Sequence, residues 1–194
     1  MALSNGIRIG FKGMESVLII TPTRHGDHRG FFGETYSLKR YAELGVDVKF
    51  VQDNHSLSAL PGTMRGLHFQ APPHAQAKLV RCGRGAIFDV AVDIRKGSST
   101  YGHWVGHELT AENGHQMYVP IGFAHGFVTL CSNSEIVYKC SDYYAPETEG
   151  ALIWNDPEIG IDWPVTTDLT ISDKDKTAQL LSEFESPFVF GVNS

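Results

Sequence analysis

The 194-residue sequence predicts an all-β domain, an antiparallel sandwich or barrel of short strands. Three observations point that way. Twenty glycines and nine prolines call for many turns. The middle of the chain alternates in polarity with a period of two. Clusters of turn-forming residues separate the alternating runs at intervals that suit strands.

In chain order, the amino-terminal stretch MALSNGIRIGFKG has no long apolar run, and VLII at 17–20 is too short to span a bilayer. SLKRYAELG at 37–45 reads as a short helix that its glycine could cap. RGLHFQ at 65–70, taken as a strand, puts Gly66, His68 and Gln70 on one face and Arg65, Leu67 and Phe69 on the other. In AIFDVAVDIR at 86–95, Phe88, Val90, Val92 and Ile94 share one face, and Ile87, Asp89, Ala91, Asp93 and Arg95 share the other. HWVGHEL, HQMYVP, AHGFVTL and EIVYKCSDYY (135–144) predict four further strands. RKGSSTYG, TAENG, CSNS and APETEG are the turns between and after them. SDKDKTAQLLSEF predicts a helix over 172–184, with Ser172 at its cap and Asp175 three residues on. No repeat or linker divides the chain, so one domain over 1–194 is expected.

A net charge of −6 argues against a general nucleic-acid or membrane-surface binder, and leaves room for a local basic pocket. Cys82, Cys131 and Cys140 are odd in number and form no C-x-x-C, which fits a reducing cytosol better than a disulfide framework. A soluble, cytoplasmic protein is expected.

Several residues could carry chemistry. His68 is a half-buried strand histidine, a metal ligand or a base. Lys78 opens an apolar strand, as a solvated edge residue or as a cation aimed at developing negative charge. Pro120, Gly122 and His125 form Pro-x-Gly-x-x-His, either an ordinary turn followed by a strand or the second signature of the cupin double-stranded β-helix. The first cupin motif lacks its metal ligands: position 70 is Gln70, and no glutamate stands between His68 and Glu108. No metal is therefore expected. Tyr138 is a packing residue or a phenol acting as general acid, since a reference pKa near 10 keeps it protonated at neutral pH. Asp175 either bonds back to the Ser172 amide or accepts from a histidine ring nitrogen.

Joined together, DHRGFFGE, FVQDNHS, MRGLHFQAPPHAQAKLVRCGRGAIFDVAVDIR, YVPIGFAHGF, YKCSDYYAPETEGALIWNDPEIGIDWP and SDKDK resemble the dTDP-4-dehydrorhamnose 3,5-epimerase family, in family order from Asp27 to Lys176. The resemblance implies a jelly-roll, cupin-like fold with short peripheral helices and a homodimer. It implies cofactor-free chemistry on a dTDP-linked 4-keto-6-deoxy sugar. It makes His68 the general base, Asp175 the carboxylate that orients it, Tyr138 the general acid and Lys78 the cation near the keto oxygen. Arg65 and His125 match residues that line the substrate pocket. Arg29 and Glu34 match nucleotide contacts that come partly from the neighbouring subunit. Gln52 and Asn54 match polar contacts, Tyr144 (or Tyr143) the aromatic that stacks on thymine, and Glu149 and Lys174 further binding positions. Cys82, Cys140 and Gly33 depart from the family pattern, away from the base and acid.

Overall fold

A computed structural model describes residues 7–11 and 13–191. The opening residues of the amino-terminal stretch and the last three of the expected domain lie outside the described residues. The strands are β1 (Ile7–Phe11), β2 (Met14–Thr21), β3 (Arg24–Asp27), β4 (Gly30–Gly33), β5 (Gln52–Ser58), β6 (Thr63–Gln70) and β7 (Lys78–Arg84). They continue as β8 (Ala86–Asp93), β9 (Trp104–Thr110), β10 (Gln116–Val119), β11 (Phe123–Thr129), β12 (Ser134–Cys140), β13 (Glu149–Ala151) and β14 (Thr170–Ile171). Two short helices, α1 (Leu38–Glu43) and α2 (Asp173–Lys176), lie outside the sheets.

Two main sheets form the molecule. One runs β1-β2-β10-β7-β12-β5, the other β13-β6-β11-β8-β9, with β14 added in parallel beside β6. Every other strand pair is antiparallel. β3 and β4 make a separate hairpin. This is the jelly-roll arrangement of two facing antiparallel sheets.

Alternation decides what each strand packs against. Ile87 and Ala91 of β8 join Val80, Val105, Met117, Phe127 and Ile136 in the core between the sheets. Val90 and Val92 point the other way, into a second core under Leu152, Trp163, Leu181 and Phe188. Leu18, Ile20 and Leu79 on the outer face of the first sheet are covered by Tyr41 of α1 and by Val46. The centre of the second sheet is thus covered on both faces, which is why β11 is buried at every residue. Gly45, two residues after α1, takes φ +93°, as expected of a glycine past a helix end.

Three expectations need correction. The predicted helix over 172–184 is only four residues long, followed by a 3-10 turn at Leu181–Glu183. The backbone between them is taken by the sheet side: Gln179 O accepts from Ile153 N, and Leu181 N donates to Asp156 Oδ2. β12 stops at Cys140, so Tyr143 and Tyr144 stand on a loop. Arg65 does not share a face with Leu67 and Phe69. The β6–β11 register pairs His125 with His68 but Phe127 with Arg65, so β6 carries one extra residue there. That bulge turns Arg65 and His68 into the same cavity.

Candidate active site

His68 sits in the middle of β6, between β11 and β13. Its Nε2 lies 2.6 Å from Asp175 Oδ1. Asp175 stands in α2, where Ser172 Oγ caps the helix by accepting from Asp175 N at 3.2 Å. The carboxylate turns away from the Ser172 amide; its Oδ2 accepts from Gly66 N at 3.3 Å. Burial works to raise the Asp175 pKa, but hydrogen bonds from His68, Gly66 and Ser172 together hold it below the usual carboxylate value.

Tyr138 comes from β12 in the facing sheet and packs on the core between the sheets. Burial and Cys140 push its phenol above the ordinary tyrosine value, while Asn54 and Arg65 oppose this. Lys78 lies at the start of β7, opposite Cys140 in register. It is not an edge residue, because β7 runs between β10 and β12. Burial lowers its ammonium pKa, against the pull of Cys140, Asp89 and Glu149.

His68, Asp175, Tyr138, Lys78, Arg65, His125 and Lys174 line one cavity of about 470 Å³. A smaller pocket of about 100 Å³ shares His68, Lys78 and Tyr138 and adds Gln52, Asn54, Tyr144 and Glu149. Lys174 Nζ is 2.6 Å from Glu149 Oε2, and Tyr144 donates to the same oxygen at 3.3 Å. Tyr144, not Tyr143, faces this pocket.

Two predicted site residues stay apart. Arg29, in the β3–β4 hairpin, is 78% exposed and pairs with Asp27. Glu34 pairs with Arg40 at 3.1 Å. Neither reaches the cavity of its own chain. Among the described residues, no group of three or more His, Cys, Asp or Glu could hold a metal ion. An imidazole on a carboxylate, a phenol on the facing sheet and a half-buried amine suit proton transfer beside a polarised carbonyl.

The family model for dTDP-4-dehydrorhamnose 3,5-epimerase matches residues 12–183. The chain belongs to that family. It is an isomerase of the epimerase type. A dTDP-4-dehydrorhamnose 3,5-epimerase of Salmonella typhimurium is 54% identical over 168 residues, which are 86% of this chain and 91% of that protein. The solved dTDP-6-deoxy-D-glucose-3,5-epimerase of Legionella pneumophila, in complex with dTDP-4-keto-L-rhamnose, has a TM-score of 0.88 at 45% identity. That match covers 93% of this chain and 95% of the other. A dTDP-4-dehydrorhamnose 3-epimerase of Streptomyces niveus is 42% identical over 172 residues, 88% of this chain and 82% of that protein. The epimerase fold is therefore shared across relatives whose names differ in the number of centres inverted.

Sequence reasoning passed over Asp89, which is fully buried and lies 2.8 Å from His125 Nε2. The signal was present: β8 is apolar on both faces, so an acid within it needs a partner. Ser56, Thr63 and Thr170, which add hydroxyls to the cavity wall, carried no such signal.

Proposed function

We propose that the chain converts dTDP-4-dehydro-6-deoxy-D-glucose into dTDP-4-dehydro-L-rhamnose by inverting C3 and C5. One observation carries this reading: the His68–Asp175 pair and the Tyr138 phenol open into the same cavity from facing sheets. A carbon beside a ketone is a weak acid, because the enolate formed on losing its proton carries the charge on oxygen. His68 takes that proton, with Asp175 holding the ring and stabilising the imidazolium. Lys78 stabilises the enolate oxygen, and loss of such a contact costs ~3 kcal/mol. Tyr138 returns a proton to the opposite face, leaving a phenolate that solvent reprotonates while His68 releases its own proton. The same steps serve C3 and C5, since both flank the one carbonyl. The substrate's ketone is its own electron sink, so these steps call on neither metal nor redox cofactor.

Arg65 and Lys174 neutralise the diphosphate, aided by Arg29. Tyr144 stacks on thymine, worth on the order of 1–3 kcal/mol. Gln52, Asn54, Glu149 and Glu34 make polar contacts, and His125 lines the sugar site. Arg29 and Glu34 do so from a second copy of the chain, in a homodimer. No helix among the described residues is long and apolar enough to cross a membrane, and the three thiols are unpaired, which supports a place in the cytoplasm.

A second reading, inversion at one carbon only, is favoured by the relative named as a 3-epimerase. Incubation of the 4-keto-6-deoxyglucose nucleotide in heavy water separates the two. Deuterium at both C3 and C5 is expected; deuterium at one centre alone selects the second reading. His68→Ala should lower turnover by ~10²-fold or more with the fold intact. Near-normal turnover in that variant means the base lies elsewhere.

A further inference from the structure

The cavity holds a second imidazole–carboxylate pair. His125 on β11 stands directly opposite His68 on β6. Its Nε2 is 2.8 Å from Asp89 Oδ1, and Asp89 comes from β8, on the far side of β11. Two neighbouring imidazoles therefore each lean on a carboxylate supplied by a different element.

The fold alone gives no reason for Asp89. It is fully buried, and among the described residues its Oδ2 has no hydrogen-bond partner. A buried carboxylate with an unpaired oxygen opposes folding, and an apolar residue of similar size would pack there without that cost. Asp93, the other buried acid of β8, is different: Arg95, Ser98 and Thr100 all donate to it. Around Asp89, the register places His107 of β9 and Phe127 of β11, and Lys78 of the facing sheet feels its charge. His107 spends its Nε2 on His115 Nδ1 at 2.9 Å. Among the described residues, the one side-chain bond Asp89 makes goes to a residue that lines the cavity.

We propose that Asp89 is a positioning residue of the active site, holding the His125 ring with its Nε2 hydrogen toward Asp89 and Nδ1 toward the bound sugar. A carboxylate accepts and does not donate, so the nitrogen facing it carries the hydrogen. Nδ1, with no hydrogen bond among the described residues, is left for a sugar oxygen beside the carbonyl. The sugar must bring two carbons in turn to one base, and an imidazole of fixed tautomer next to that base limits how the ring can lie. This role rests on the epimerase reading, although the tautomer itself does not.

The test joins a spectrum to kinetics. In enzyme labelled with 15N-histidine and free of substrate, the signal that His125→Asn removes is expected to show hydrogen on Nε2. Asp89→Asn, whose amide can donate to that nitrogen, is expected to move the hydrogen to Nδ1. The same variant should keep its melting temperature and its dTDP affinity while kcat falls about 10–100-fold. Because Asp89 acts through His125, the double variant should be no slower than His125→Asn alone. Hydrogen on Nδ1 of the wild-type ring, wild-type kcat in Asp89→Asn, or losses that multiply in the double variant each overturn the proposal. The wild-type spectrum decides the tautomer even when Asp89→Asn does not fold. A correct tautomer in a wild-type protein that exchanges no deuterium into the sugar overturns the epimerase reading instead.

Discussion

Asp175 stands where two local rules compete. Its position three residues after Ser172 suits a reciprocal helix cap, and half of that cap forms, through the bond from Asp175 N to Ser172 Oγ. The carboxylate itself turns inward to His68 and Gly66, because a charge-assisted bond in a buried site outweighs one made at an exposed helix end. The consequence for pH has a definite sign. The folded-state pKa of Asp175 is depressed, so near that value the unfolded chain binds more protons than the folded one. Its stabilisation is fully present above the ordinary carboxylate value of about 4 and is lost as pH falls through the lowered value. Melting temperatures of wild type and Asp175→Asn should therefore differ most near neutrality, and the gap should begin to close only below about pH 4. A gap unchanged in strong acid means that the carboxylate is not what the variant removed.

Between elements, the β6–β11 contact sets the geometry of the cavity. Gly66 has φ +114°, and a Cβ there would come within 2.6 Å of Gly126 Cα and His125 O. Both atoms are backbone of the neighbouring strand, so neither can swing aside. Gly66→Ala should destabilise the fold by roughly 2–4 kcal/mol, from strained φ and from parting the strands that carry His68 and His125. Thermal unfolding measures this; a change below about 0.5 kcal/mol would show the strand contact to be looser than described. The same contact marks where the sequence stopped being legible. Strands β8 to β12 could be read because short runs rich in apolar and β-branched residues are set off by turn-forming residues. The face of Arg65 could not, since one extra residue in a pairing leaves no trace in a polarity pattern. Residues 177–184 had a helical pattern, yet bonds from Ile153 N to Gln179 O and from Leu181 N to Asp156 claim their backbone, and no local rule foresees a partner so distant in sequence. Asp89 was visible as an acid on an apolar strand, but its meaning depended on knowing which histidine lay across β11.

At the scale of the whole molecule, the central strands of the two sheets are buried while the β3–β4 hairpin is not. Phe31 and Phe32 in it are 63% and 74% exposed, and Arg29 is not among the residues that line the cavity of its own chain. Adjacent exposed aromatics beside an exposed arginine suit a surface that a second copy covers, with Arg29 delivered to the neighbour's nucleotide. Subunit mixing tests this directly. Arg29→Ala spoils the lent residue and His68→Ala the resident base, so each variant alone should turn over slowly. In a mixed dimer, the subunit that keeps His68 receives Arg29 from its partner, and one complete site is restored. Random pairing of equal amounts gives half mixed dimers with one good site in two, so turnover should recover to about a quarter of wild type. Were Arg29 to serve the cavity of its own chain, no pairing could assemble a complete site, and the mixture would be no faster than the mean of its two parents.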